Sequence, residues 1–184
     1  MALTIVEIVE VLETRGKEKY GREAVSQLEH ALQCAHLAEL AHEPPDLVAA
    51  CLLHDLGHLM STMPDEFNHT QDDVHQHLAV PFLSGVFNSA VIDPIRMHVE
   101  AKRYLCQAQP GYWDTLSRAS KDSLVLQGGP HSEAQAQQFI AQPQAQAAVR
   151  LRRYDDLAKV QGAQTPLLSH YAQVLRTVAA RAFA

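Results

Sequence analysis

Apolar side chains recur along this chain at intervals of three and four residues, and no segment sustains the every-second-residue alternation of a half-buried strand. The pattern predicts helices only, about eight to nine of them, packed as an all-α bundle. Leu3 to Leu12 reads as a first amphipathic helix closed near Arg15 and Gly16, and a polar stretch through Tyr20 leads into a long helix from about Ala24 to Ala41. Pro44 and Pro45 end it. The next helix, Asp46 to about Leu56, is apolar nearly all round its circumference (LVAACLL), the mark of a buried central element. Gly57 then allows a turn, His58 to His69 reads as a loop broken at Met63-Pro64, and Gln71 to Leu83 returns to helix until Gly85. Ala90 to Tyr104 follows, with Pro94 placed in its first turn. Beyond the Pro110-Gly111 turn comes a shorter helix capped at Ser117 or Ser120, stopped by Gly128-Gly129-Pro130. Ser132 to Ala141, Gln144 to Val160 and Leu168 to Phe183 complete the series. The chain shows no internal repeat, and 184 residues suit one core, so a single domain over 1–184 is expected.

Composition narrows the chemistry. A net charge of -6 argues against a surface built to replace phosphate counterions, so no nucleic-acid partner is expected. No run of apolar residues is long enough to span a bilayer, and the acidic residues in MALTIVEIVEVLE do not suit a signal peptide; a cytoplasmic location without membrane association is expected. Cys34, Cys51 and Cys106 are odd in number, far apart and inside helical segments, which points to free core thiols. The eleven histidines are the compositional anomaly, because imidazole is both a common transition-metal ligand and an acid/base at neutral pH.

Their placement gives the reason. His54 and Asp55 stand side by side at the end of the most apolar helix, in CLLHDLGH, where an imidazole and a carboxylate are costly to bury unless a cation accepts them. His30 lies upstream in QLEHALQCAHLAELA; His75 (DDVHQHLAVPFL), His98 (IRMHVEAKRYL) and Asp155 (RRYDDLAKV) lie downstream. Each sits in or beside an amphipathic helix, so separate elements can project donors into one centre, as metal sites in helical bundles do. His77 competes with His75, which is preferred because Ala79 and Leu83 suit a helix packed on the core at that register. Six donors exceed the needs of one tetrahedral ion and suit two ions sharing Asp55. Mixed imidazole and carboxylate ligation suits iron or manganese, with zinc and nickel left open by ligand type alone.

Three potential cations lie one helical turn from these residues: His58 four after His54, Lys102 four after His98, and Arg152 three before Asp155. On an acidic chain, together they suggest a pocket for a tetrahedral oxyanion. Ser120 offers a further hydroxyl, but helix capping is the role its position favours.

With these motifs in view, the chain resembles the HD superfamily, in its mixed-valence diiron oxygenase branch that includes myo-inositol oxygenase, and most closely the PhnZ-type 2-amino-1-hydroxyethylphosphonate dioxygenases. The resemblance covers nearly the whole chain and includes YGREAVSQLEHALQ, ACLLHDLGHL, IRMHVEAKRYLC, LSRASKDSLVLQGGP and RLRRYDDLAKV. It implies that His30, His54, Asp55, His75, His98 and Asp155 hold two Fe ions in a mixed-valence Fe(II)/Fe(III) pair bridged by Asp55, with O2 as co-substrate. It implies phosphonate contacts at His58, Lys102 and Arg152. It also implies that Tyr20 occupies an iron until substrate arrives and that Glu23 meets the substrate ammonium. Gln76, where related proteins often carry Glu, departs slightly from the pattern.

The expected activity is therefore oxidative cleavage of the C–P bond of an organophosphonate, giving phosphate and glycine or an N-methylated glycine, by a monomer or small homo-oligomer. The same ligand set would also serve an HD-type phosphohydrolase acting on a nucleotide or other phosphomonoester. A module that only binds is the third possibility, disfavoured by the complete donor set.

Overall fold

The computed structural model describes residues 2–18, 20, 23–60 and 74–181. Helices are α1 Ile5–Arg15, α2 Gln27–Leu40, α3 Pro45–Leu53, α4 Leu56–Met60, α5 His75–Leu78, α6 Val80–Leu83, α7 Ser89–Ala108, α8 Tyr112–Thr115, α9 Arg118–Leu126, α10 Glu133–Ile140, α11 Ala145–Leu157 and α12 Leu168–Arg181. The fold is an all-α bundle without β-sheet among the described residues, and eight of these helices have eight residues or more. The longest, α7, packs against α11, α3 and α10, while α2 lies across α3 and α11.

Polar residues at the helix starts fix the boundaries. The Thr4 hydroxyl accepts from the Glu7 amide and Glu7 reaches back to the Thr4 amide, and Ser26 with Glu29 and Ser132 with Gln135 repeat the arrangement. The Ser26 cap is why α2 begins three residues later than apolar spacing alone suggests. Two apolar clusters fill the bundle. One surrounds α3, where Val48, Leu52 and Leu53 meet Ile8 and Leu12 of α1, Cys34 and Ala38 of α2, Ile95 of α7 and Leu175 of α12. The other lies along the second half of α7, with Met97, Ala101 and Leu105 against Leu116, Leu124, Phe139 and Ala148. Each Val, Leu, Ile, Met or Phe side chain among them withdrawn from water contributes about 1.5–3 kcal/mol. All three cysteines are free thiols, as expected. No helix among the described residues is long and apolar enough to cross a membrane.

Four local expectations change. The helix predicted from Asp46 to Leu56 stops at Leu53, turns at His54-Asp55, and resumes as α4, so the expected His58 loop begins inside a helix. Gly57 is there for close approach and not for a turn: a Cβ on it would lie 2.0 Å from the His75 carbonyl oxygen. The helix predicted from Gln71 to Leu83 is two single-turn pieces split at Ala79, entered through Val74 with φ 47°. Residues 61–73, including the Met63-Pro64 breaker and the Gln71 start, fall outside the described residues, as do Ala182 to Ala184 at the end of the last helix. Pro94 lies one turn inside α7, which starts at Ser89 under an Asn88 cap, so its missing N–H removes a helical hydrogen bond.

Because the first turn of α5 rests on the backbone at Gly57, Gly57→Ala is expected to force α4 and α5 apart. Overpacking of this kind costs about 1–3 kcal/mol. A lower denaturant midpoint together with reduced metal content in the purified variant is the expected result; an unchanged midpoint would show that the contact yields freely.

Candidate metal centre

The sequence-selected donors converge where α2, α3, α5, α7 and α11 meet. His30, His54, Asp55, His75, His98 and Asp155 are all buried. His77, on the same short helix as His75, faces solvent, in keeping with the choice of His75. Buried Gln76 lies beside it.

Backbone carbonyls aim three of the four rings. His30 Nδ1 donates to the Ala158 carbonyl at 2.8 Å, His54 Nδ1 to Cys51 at 2.8 Å, and His98 Nδ1 to Ile95 at 2.7 Å. A carbonyl can only accept, so each Nδ1 carries the hydrogen and each neutral ring turns an Nε2 lone pair inward. Those nitrogens then face others: His30 Nε2 is 3.2 Å from His54 Nε2, and His75 Nε2 is 3.0 Å from His98 Nε2. Asp55 lies between the two pairs. Its Oδ2 is 3.3 Å from His54 Nε2 and 3.6 Å from His30 Nε2, and its Oδ1 is 3.2 Å from His75 Nε2 and 3.6 Å from His98 Nε2. Asp155 completes the first group, with Oδ1 3.4 Å from His30 Nε2.

Such a packing of acceptors is unstable without positive charge. Among the described residues, Asp55 Oδ2 and Asp155 Oδ1 are buried without a hydrogen-bond donor. Burial opposes charge on His54, yet Asp55 and the other anionic neighbours override it and push its pKa to about 10. Burial likewise opposes charge on Asp55, but His54, His75 and His58 hold its pKa well below the usual carboxylate range. Protons can thus partly neutralise the centre, but a proton satisfies one acceptor where a metal ion satisfies several. Two groups of donors lie within 4.8 Å of one another, His30 with His54 and Asp155, and Asp55 with His58 and His75. The donor set fits two metal ions, one beside His30, His54 and Asp155 and the other beside His75 and His98, with Asp55 facing both.

The three predicted cations fare differently. His58 stacks on His75 with ring centroids 4.0 Å apart and brings Nε2 to 3.9 Å from Asp55 Oδ1, so it stands with the donors. Lys102 is buried, donates to Ser123 Oγ at 2.8 Å, and has its pKa lowered to about 7 by burial and by the neighbouring Arg152 and Lys159. Arg152 is held by carboxylates: Nη1 is 2.7 Å from Asp155 Oδ2, Nη2 bonds Asp156, and Nε donates to the Tyr112 hydroxyl at 3.3 Å. It buttresses Asp155 as well as facing the centre. Ser120 is not the cap of α9, because Ser117 accepts its amide; its hydroxyl instead accepts from Lys159 Nζ at 3.0 Å.

Tyr20 stacks on His30, with ring centroids 4.0 Å apart and planes 13° from parallel. Burial, then Asp55 and Asp155, raise its pKa well above the ordinary phenol value, so the hydroxyl keeps its proton beside the carboxylates. Glu23 accepts from Ser117 Oγ at 2.6 Å and pairs with Lys159 Nζ at 3.3 Å. Sequence reasoning did not select Lys159, Ser117, Ser123, Tyr112, Asp156 or Gln33. Gln33, one turn beyond His30, pairs its side-chain amide with both backbone groups of Val160 at 3.0 Å. Lys159 follows Asp155 by four, the interval that marked His58 and Lys102, but α11 ends at Leu157 and the interval had no helical meaning there.

The lowered pKa of Lys102 carries a sign. The unfolded chain binds that proton more tightly than the folded one, so the site opposes folding in full below about pH 7, and the penalty fades as pH rises towards the ordinary lysine value of 10.5. Lys102→Met is therefore expected to raise the thermal midpoint of the metal-free protein at pH 6, by about 2–4 °C per kcal/mol recovered. The advantage should shrink at pH 9; a variant less stable at both pH values would mean that the bond to Ser123 outweighs the buried charge.

Comparison with known proteins agrees with this geometry. Residues 27–127 match the HD domain family. The chain is 43% identical over 169 residues to a hydroxymethylphosphonate dioxygenase of Gimesia maris, covering 91% of this chain and 84% of that protein. It is 36% identical over 167 residues to the glycine-betaine-forming 1-hydroxy-2-(trimethylamino)ethylphosphonate dioxygenase of Leisingera caerulea, covering 90% and 85%. With the paired histidines and the shared aspartate in place, the chain is an oxidoreductase-type enzyme that belongs to the HD-domain phosphonate dioxygenases.

Proposed function

We propose that this protein uses dioxygen to cleave the C–P bond of a 1-hydroxyphosphonate, releasing phosphate and a carboxylic acid. The observation that carries the reading is the double cluster of inward-facing imidazole nitrogens around one carboxylate, with buried carboxylate oxygens that no donor among the described residues satisfies. In this reading His30, His54 and Asp155 would hold one iron and His75 and His98 the other, with Asp55 within reach of both, and the pair would work as mixed-valence Fe(II)/Fe(III). The bound irons would supply the activation of dioxygen, which no side chain here can perform.

The remaining tasks belong to the protein's own groups. Lys102, Arg152 and His58 neutralise and orient the phosphonate dianion, with Ser120 Oγ beside them. Lys102, whose pKa lies at about 7, regains its proton when a dianion arrives, so the pocket is charged most strongly when occupied. Fixing the phosphonate fixes the position of C1 and its hydrogen, and a small displacement there is heavily penalised in rate. Tyr20, stacked on His30, covers the centre and withdraws as substrate enters. For 2-amino-1-hydroxyethylphosphonate the acid released would be glycine, or an N-methylated glycine from a methylated amine, and Glu23 is the carboxylate that the substrate ammonium would approach. The reaction balances as substrate plus O2 giving phosphate plus carboxylic acid, with both oxygen atoms of O2 in the products.

Aerobic incubation of iron-loaded protein with 1-hydroxyphosphonates should release one phosphate for each dioxygen consumed. Phosphate without oxygen uptake would replace this reading with the hydrolytic one. Asp55→Ala should lose both metals by elemental analysis, whereas Lys102→Met should retain them and raise KM for the phosphonate about tenfold or more, the loss of a charge-assisted contact worth about 1.5–3 kcal/mol. Equal metal loss in both variants would remove Lys102 from the anion pocket.

A further inference from the structure

Lys159 is an anchored residue although it lies beyond the end of its helix. The backbone on either side is held from α2: the Ala158 carbonyl accepts from His30 Nδ1 at 2.8 Å, and both backbone groups of Val160 pair with the Gln33 amide at 3.0 Å. The side chain between them is only 12% exposed and turns inward. Its Nζ is 3.3 Å from Glu23 Oε1, 3.0 Å from Ser120 Oγ and 5.8 Å from the centroid of the Tyr20 ring, which in turn lies flat on His30. Glu23 also accepts from Ser117 Oγ at 2.6 Å. The carboxylate at the edge of the pocket is therefore already neutralised by a cation of this chain.

We infer that the Lys159–Glu23 ion pair selects the substrate, favouring a 1-hydroxyphosphonate whose C1 substituent carries no positive charge, hydroxymethylphosphonate being the smallest such compound. This inference rests on the oxygenase reading above. A substrate ammonium approaching Glu23 would meet Lys159 Nζ within a few ångströms, and the repulsion between the two cations offsets the attraction of the carboxylate they would share. Lys102 and Arg152 add to the positive field, since both Arg152 and Lys159 act on Lys102. A hydrogen at C1 in place of an aminomethyl group escapes that conflict and leaves the pair intact. The geometry thus reassigns Glu23: it holds Lys159 across the pocket, and Lys159 stands where a substrate cation would otherwise lie.

The test compares hydroxymethylphosphonate with 2-amino-1-hydroxyethylphosphonate in the iron-loaded enzyme and in Lys159→Met, Lys159→Arg and Lys159→Met/Glu23→Gln variants. Phosphate release with oxygen uptake gives the kcat/KM ratio, and titration under anaerobic conditions gives the ratio of affinities. The parent enzyme should favour hydroxymethylphosphonate at least tenfold. Lys159→Met should shift both ratios about tenfold or more towards the amine-bearing compound, Lys159→Arg should keep the parental ratios, and Glu23→Gln added to Lys159→Met should abolish the shift. A parent enzyme that prefers the amine, or a Lys159→Met variant whose ratios match the parent's while Lys159→Arg remains active, overturns the inference and leaves the oxygenase reading standing. Turnover of neither compound by the parent enzyme overturns both. If Lys159→Met fails to fold, the parent and Lys159→Arg ratios decide alone, a preference for the amine in either being contrary to the inference.

Discussion

Two pairs of imidazole nitrogens face each other across a single carboxylate, and the bundle is arranged around keeping them there. The rings are not free to turn away, because His30, His54 and His98 each commit Nδ1 to a main-chain carbonyl. Lone pairs at 3.2 Å and 3.0 Å repel unless positive charge lies between them. The cost of assembling this centre is met by a cation, which makes metal binding and consolidation of the α2, α3, α7 and α11 core one linked equilibrium. The apolar packing around α3 supplies the rigidity that holds the repelling groups in register.

Around that centre the charges are shared between tasks. Arg152 bonds Asp155 and Asp156 at once, so one guanidinium steadies a ligand carboxylate while presenting positive charge to the pocket. Lys102 hangs from Ser123, and Lys159 links Ser120 to Glu23. Short α9 therefore carries serines on successive turns that position both lysines, while Ser117 caps the helix itself. Holding buried cations near one another lowers stability; under the proposed function it gives a site already polarised for a small dianion.

The sequence made the centre legible because its donors announce themselves by contrast. His54 and Asp55 interrupt an apolar run, and His30, His98 and Asp155 recur on the buried faces of amphipathic helices, so burial and polarity conflict at each position in a way that only a metal resolves. The helices were legible for the same reason. The break between α3 and α4 was not, since a continuous apolar pattern does not show where the backbone turns to aim two adjacent side chains. Nor were Lys159 and Gln33 legible as parts of the site: their relation runs through the Gln33 side-chain amide on the Val160 backbone, between α2 and the segment after α11, and no periodicity records it. Ser120 was ambiguous between cap and ligand until Ser117 was seen to hold the helix start.

Backbone touches backbone where Gly57 meets His75, so the turn that carries Asp55 and the first turn of α5 form one unit in spite of the long stretch of chain that separates them in sequence. The distance between the Asp55 carboxylate and the His75 ring is set at that contact, independently of the path taken from Met60 to Val74. Lengthening a connection between fixed ends adds only a slowly growing closure entropy. Insertions and deletions between those points can therefore accumulate over evolution while the two ends stay in register.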